Sequence, residues 1–447
     1  MNLSLAQALR VPASPCIAFV GAGGKTTALF QLARQLPEPV IVTSTTHLGA
    51  WQTQLADRHI ITQAPGPIEG LGHSLKGITL VTGELDADRT RPVNDGLLDW
   101  LHAFCRDHSI PFLIEADGSR GKPLKAWADH EPPVPPFVEL VVQVAGLMGL
   151  GRLLSEDYVH RAELFSRLSG LKQGEPITSE AFVQVLGHRQ GGLKNIPQQS
   201  RRLVLLNQAD TSALQSSARR LAQSLLSFFH SVVIARLEQQ EVFAVHEPVA
   251  GIVLAAGGST RFGEPKQLLD WKGKPFVRAV AETALEAGLS PVIVVAGAHV
   301  QRVASALKDL DLTVVDNPEW ELGQGSSIAA GVRGLSASKT GSGIAGSAIF
   351  LLADQPQVTP SVLRALVEKH AEGLYPIVAP MVLDRRANPV LFDRVAFADL
   401  MALEGDVGGR AIFHKHRVEY LPWHDDRLLL DVDTPEMYQR LLADDTL

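Results

Sequence analysis

Cysteine is nearly absent: Cys16 and Cys105 are the two thiols in 447 residues. They stand far apart, outside any CxxC or Cys/His spacing, which excludes a disulfide framework and a structural zinc site and fits a reducing cytoplasm. There is no basic excess either. The 41 Lys and Arg face 48 Asp and Glu, a formal net charge of -7. That balance argues against a nonspecific binder of nucleic acid or anionic membranes, while leaving room for a local basic pocket. Long apolar runs are also missing. A membrane helix needs about 18–20 consecutive apolar residues, whereas residues 140–150 are interrupted by Gln143, Gly146 and Gly149. The first residues lack a basic region and residues 11–20 lead straight into a glycine loop, so a soluble protein without a cleaved leader is expected. What remains is ordinary globular material, 45% hydrophobic and 20% charged. It is too long for one modest core, and two domains are expected.

The first half alternates apolar, strand-like runs with helix-length segments: residues 17–20, 40–43, 78–81, 112–114, 203–206 and 232–235. This is the βα alternation of a parallel sheet. Residues 211–229, with Ala213, Leu214, Ala218, Leu221 and Leu225 at helical spacing, read as a crossover helix. Around residues 238–248 the pattern turns polar and mixed, which divides the chain into domains at 1–240 and 249–447. The second half resumes the alternation through residues 292–296, 313–315, 348–352 and 377–379, with a helix at 276–287. Residues 334–347, rich in Gly, Ser and Ala, read as a mobile connection.

After the strand-like Ile252 and Val253 comes LAAGGSTRFGEPKQLL, residues 254–269. Leu254 ends the strand. Ala255, Ala256, Gly257, Gly258, Ser259 and Gly263 let backbone N–H groups approach phosphate oxygens, and Arg261 and Lys266 bring positive charge to the same anion. The combination suits a nucleoside triphosphate. Asp354, just past the run 348–352, is placed to hold Mg²⁺ with substrate oxygens in the crevice at the carboxyl end of a sheet. Attack of an acceptor phosphate on the α-phosphorus requires two polyanions, and the charge on the departing pyrophosphate, to be neutralised. Lys266, Arg261 and Asp354 are therefore the candidate catalytic residues.

NPEWELGQGSS (317–327), LLADQP (351–356), NPVLF (388–392), GDVGGR (405–410) and DVDTPEMY (431–438) follow in order. With the glycine segment, they resemble the molybdenum cofactor cytidylyltransferases of the nucleotidyltransferase superfamily over almost all of residues 250–440. The resemblance implies a GT-A-like mixed sheet, CTP as donor with GTP left open, and the terminal phosphate of molybdopterin (the molybdenum cofactor) as acceptor. The products it implies are molybdopterin cytosine dinucleotide and pyrophosphate. It also implies Asp433 as a second metal carboxylate beside Asp354, and Asn388 and Arg410 on the acceptor side. One departure is that the family commonly has Gly before the NP dipeptide, whereas Arg386 and Ala387 precede Asn388 here, and a Cβ restricts that turn. Two other readings use the same residues: a sugar- or polyol-phosphate nucleotidyltransferase with a different acceptor pocket, and a non-catalytic carrier that docks the cofactor onto a hydroxylase.

Near the N-terminus, GAGGKTT (21–27) follows the strand-like 17–20 and supplies the GK[ST] core of a phosphate-binding loop opening a helix. Gly21, Gly23, Gly24, Lys25, Thr26 and Thr27 are its candidate binding residues. Phe19 stands where a full Walker A motif has its first glycine, so the loop is closer to the GxxGKT form of Mur-ligase-like ATPases. FLIEADGS (112–119) has the apolar strand and acidic end of a Walker B element, so Glu115 or Asp117 is a candidate to hold magnesium or orient a water. NQAD (207–210) resembles the base-reading NKxD motif with Gln208 in place of lysine, which makes Asn207 and Asp210 candidates and leaves ATP or GTP open. With TSTTH (43–47) and IEADGSRGKPLKAWADHEPPVP (114–135), these segments resemble the YqeC-like accessory family linked to selenium-dependent molybdenum hydroxylases, over most of residues 1–240. That resemblance implies a nucleotide-dependent step and a molybdenum hydroxylase as partner. His47 is open to phosphate contact, metal contact or a plain loop role. The combined expectation is an α/β protein of two Rossmann-like domains, a P-loop-like parallel sheet followed by a mixed sheet, acting in the cytoplasm.

Overall fold

The computed structural model describes residues 3–66, 75–258, 265–337, 345–432 and 434–444. Ser259, Arg261, Gly263 and Asp433 lie outside the described residues. The chain divides into two compact units, 1–246 and 247–447. No helix among the described residues is long and apolar enough to cross a membrane.

The first unit is built on nine strands: β1 (Cys16–Gly21), β2 (Val40–Ser44), β3 (Arg58–Ile61), β4 (Ile78–Thr82), β5 (Phe112–Glu115), β6 (Leu140–Gly146), β7 (Arg201–Asn207), β8 (Ser231–Arg236) and β9 (Glu241–His246). They run in the order β9-β8-β7-β6-β1-β5-β2-β4-β3. Every pair is parallel except β9, which runs antiparallel to β8. Within the polar stretch 238–248, Glu241–His246 is the edge strand that ends the first sheet. Leu140–Gly146 is a departure from the sequence pattern. All seven of its residues are buried, because a central parallel strand is covered on both faces.

β1 leaves the middle of this sheet and turns directly into the helix Lys25–Ala33. The turn requires glycine at two positions. Gly23 has φ +80°, and a Cβ there would lie 2.6 Å from the Gly146 backbone; Gly24 has φ +125°. The helix start is left without a side-chain cap, so its first amide N–H groups face outward from the carboxyl end of the sheet.

The second unit has β10 (Val249–Ala255), β11 (Val292–Ala296), β12 (Thr313–Asp316), β13 (Ser347–Leu352), β14 (Ile377–Val382), β15 (Val390–Asp393) and β16 (Val418–Pro422). The order is β12-β11-β10-β13-β15-β14, continued by the two-residue Arg385–Arg386, with β16 also pairing with β14. β10 to β13 are parallel and β15 is antiparallel to both neighbours, so the sheet is mixed. Alternate residues face opposite sides, and both sides are buried. Val253, Val294 and Leu351 pack with the helices Phe276–Glu286 and Pro360–Ala371. Ile252, Ile293 and Phe350 pack with the helix Gln324–Ala337. That helix rides close to the sheet through Gly331, where a Cβ would come within 2.6 Å of Ile252 Cγ2.

Candidate functional site

In the second unit, β10 and β13 lie side by side with Leu254 opposite Leu352. The chain leaving β10 passes through Ala256, Gly257 and Gly258, and the chain leaving β13 reaches Asp354. Between them opens a cavity of about 590 Å³ lined by these residues, by Lys266 and Gln267, and by Trp320, Gln324, Ser327 and Asp406. Lys266 Nζ lies 2.7 Å from Asp354 Oδ2. The other carboxylate oxygen, Asp354 Oδ1, is buried with no hydrogen-bond partner among the described residues. A buried oxygen of this kind requires a partner, and a carboxylate in the lining of a phosphate-sized cavity is a hard oxygen donor of the kind that suits a magnesium ion. Gln267 Nε2 donates to Gly257 O at 3.2 Å and ties the Lys266 segment to the glycine segment. Gly258 packs under the Trp320 ring, which lies 3.0 Å from where its Cβ would be. The N-terminus of the helix Gln324–Ala337 reaches the cavity with Gln324 and Ser327.

In the first unit, a cavity of about 980 Å³ opens over Gly23 to Thr27. Thr26 Oγ1 donates to Glu115 Oε2 at 2.7 Å and accepts from Gln52 Nε2. Burial pushes the Glu115 carboxyl above its ordinary value, against the opposing charge of Lys25 and the hydrogen bond from Thr26. Asp117, two residues on, is fully buried. Its oxygens accept from the Gly21 N–H at 2.9 and 3.0 Å and from Trp127 Nε1 at 2.9 Å. Lys25 Nζ and Lys125 Nζ lie 3.4 and 3.0 Å from Asp117. Lys125 continues to Glu131 at 3.1 Å, and Arg161 donates through both guanidinium nitrogens to the same carboxylate. The result is a line of alternating charge, Lys25, Asp117, Lys125, Glu131 and Arg161, in which each buried charge is paired. Burial raises the Glu131 carboxyl, but Arg161 and Lys125 outweigh it and hold the group below its ordinary value. Burial and the charges of Arg161 and Lys125 push His160 down to about 4.

Comparison with known proteins agrees with this division. Residues 251–420 match the MobA-like NTP transferase domain and residues 17–163 match the YqeC protein. YqeC of Escherichia coli K12 is 33% identical over 244 residues, covering 51% of this chain and 85% of that protein. Nicotine blue oxidoreductase of Paenarthrobacter nicotinovorans is 33% identical over 205 residues, covering 43% of this chain and 96% of that protein. The chain belongs to the MobA-like NTP transferases and carries an N-terminal YqeC domain. A probable molybdenum cofactor guanylyltransferase of Bacillus cereus (strain Q1) is 29% identical over 144 residues, covering 32% of this chain and 66% of that protein. The protein is thus a nucleotidyltransferase.

In the MobA-like domain, Leu254, Ala255, Ala256, Gly257, Gly258, Lys266 and Asp354 come together at one cavity. Asn388 and Arg410 are outside its lining; Arg410 Nη2 donates to Arg386 O at 3.2 Å. Ala387, in the place of the expected glycine, is buried and donates its N–H to Pro380 O. In the YqeC domain, Gly23, Gly24, Lys25, Thr26, Thr27, Glu115 and His47 line the cavity. Gly21, which ends β1, and Asp117 lie beneath the loop, joined by their hydrogen bonds. The Asn207 side chain is buried, donating to Gly23 O at 2.7 Å and accepting from Leu237 N, so it braces the glycine loop, while Asp210 is exposed. Sequence reasoning missed Gln267, Trp320, Gln324, Ser327 and Asp406, although NPEWELGQGSS and GDVGGR contain four of them. It also missed Lys125 and Glu131, although the segment 114–135 contains both, and Arg161, which lies outside every motif singled out.

Proposed function

We propose that the MobA-like domain transfers CMP from CTP to the terminal phosphate of molybdopterin, giving molybdopterin cytosine dinucleotide and pyrophosphate. The observation that carries this reading is the Lys266–Asp354 pair beside the glycine segment, with one buried carboxylate oxygen of Asp354 left for a metal. The small residues Ala255 to Gly258 receive the triphosphate through backbone N–H groups. Lys266 offsets charge on the phosphates and on the departing pyrophosphate, at a position preset by its hydrogen bond to Asp354. Asp354 would hold Mg²⁺, with Asp433 as the second carboxylate, and the ion supplies charge neutralisation on donor and leaving oxygens. Arg261 adds a second cation to the same phosphates, and Asn388 and Arg410, outside the lining of this cavity, are assigned to the acceptor side by the family resemblance alone. The likeness to a molybdenum cofactor guanylyltransferase supports a molybdopterin acceptor. Cytosine rests on the AAG opening and KQLL ending of the glycine segment, and guanine is its competitor.

The YqeC domain, in this reading, binds ATP or GTP with its phosphates on residues 21–27. Thr26 and Glu115, hydroxyl and carboxylate joined at 2.7 Å, suit the few oxygen ligands that Mg²⁺ takes alongside phosphates. Its nucleotide-dependent step serves maturation of a molybdenum hydroxylase, in the same cytoplasm that keeps the buried thiols of Cys16 and Cys105 reduced.

The test is pyrophosphate release by the full chain with each nucleoside triphosphate, with and without molybdopterin. Release with CTP that requires molybdopterin is the expected result. Release with GTP alone among the triphosphates would change the donor, and release only with a sugar phosphate would change the acceptor. Tight molybdopterin binding without release would make the domain a carrier.

A further inference from the structure

The YqeC cavity carries arginines outside its glycine loop. Arg89 and Arg120 line it, both exposed, and neither guanidinium has an ion-pair or hydrogen-bond partner among the described residues. Of the carboxylates in the lining, Glu115 accepts a hydrogen bond from the Thr26 hydroxyl and Glu131 is paired with Lys125 and Arg161. Asp88 is the remaining carboxylate of the lining. Arg161 and His160 line the cavity together with Arg120. Burial lowers His160 first; Arg161, Lys125 and Arg120 lower it further against the opposing charge of Glu131, which places Arg120 within electrostatic reach of this ring. A cavity of about 980 Å³ lies at the upper end of small-molecule sites.

We propose that this cavity takes two ligands, a nucleotide on the glycine loop and a small-molecule phosphate monoester held by Arg89 and Arg120. Two unpaired guanidinium forks match phosphate oxygens bidentately, and water-exposed arginines on a cavity wall lose little solvation until such an anion arrives. The YqeC domain therefore binds a phosphorylated small molecule together with nucleotide. The nucleotide half of this inference rests on the glycine-loop reading given above; the arginine half does not.

The experiment is calorimetric titration of the full chain with inorganic phosphate, with and without saturating Mg²⁺ and a non-hydrolysable ATP analogue. Phosphate should bind the nucleotide-saturated protein. The double variant R89A/R120A should weaken phosphate binding by about tenfold or more, the scale of losing two charge-assisted forks, while leaving analogue affinity within about twofold. R89K/R120K, which keeps the charge and loses the forks, should fall between, and unchanged melting curves for both variants exclude a folding defect. No phosphate binding to the saturated protein, or a parallel loss of phosphate and analogue affinity in R89A/R120A, would overturn the inference. Should the analogue itself fail to bind, the glycine-loop reading falls and the two-ligand proposal with it. Phosphate binding lost in R89A/R120A but kept in Lys25→Ala would then still establish the arginine site.

Discussion

Lys266 and Asp354 are 88 residues apart in the chain and 2.7 Å apart in space, and the proposed chemistry depends on that pair. Losing one preorganised donor to developing charge commonly lowers turnover by about 10²- to 10³-fold. Lys266→Ala should do so in pyrophosphate release while the circular dichroism spectrum and melting temperature stay close to those of the parent. Unchanged turnover would remove Lys266 from the reaction. In the YqeC domain the residue with a readable pH signature is His160. Its folded value of about 4 lies below the ordinary 6.5, so between those limits the unfolded chain binds more protons than the folded one. Stability must therefore rise with pH across this window and be lost as pH falls from about 6.5 to about 4. The urea midpoint of the first unit should be lower at about pH 5 than at about pH 7, and His160→Asn should shrink that difference. An identical pH slope in the variant would assign the effect to other groups.

At the scale of elements, each candidate site sits where a parallel strand ends and a close-packed helix begins. Close packing depends on glycine in both units. The helix Gln324–Ala337 brings Gln324 and Ser327 to the transferase cavity because Gly331 lets it lie against Ile252. Gly331→Leu overpacks that contact, which commonly costs about 1–3 kcal/mol. It should also displace the helix start from the cavity, so both the melting temperature of the second unit and its turnover should drop. A variant that melts earlier yet turns over at the parental rate would show that the helix start has no part in the site. The same element logic explains which strands were legible. Short runs of Val, Ile and Leu bounded by turns predict β1, β2, β4, β5 and β11 within one or two residues. Leu140–Gly146 was hidden because Gln143 and Gly146 look like interruptions. In the sheet Gln143 bonds to backbone, and a Cβ at Gly146 would collide with Gln208 Oε1 at 2.2 Å. Glu241–His246 was hidden because its charged ends resemble a linker, and only pairing with β8 makes it a strand.

At the scale of the whole molecule, two compact units carry two candidate nucleotide cavities. A ligand at about 100 times its dissociation constant stabilises the unit that binds it by about 2.7 kcal/mol. With Mg²⁺ present, CTP should therefore raise the melting transition of the MobA-like unit and ATP or GTP that of the YqeC unit. Lys266→Ala should weaken the first shift and Lys25→Ala the second, each without touching the other. A single transition moved equally by both nucleotides would contradict two separate sites. By itself the sequence determined the features carried by contiguous residues. These were the two α/β halves, both glycine segments with their following cations, and Asp354 at a strand end, because strand period, glycine turns and helix starts are local properties of the backbone. The tertiary structure alone set apart the surroundings of Glu115 and Asp117. The two differ by two positions in sequence, yet one faces the cavity beside Thr26 while the other is enclosed by Gly21, Lys25, Lys125 and Trp127. It alone also made Asn207 a brace for the glycine loop and brought Arg89, Arg120 and Arg161 to the lining of one cavity. Charges on separate loops acquire partners, or are left without them, only when the sheet brings those loops together.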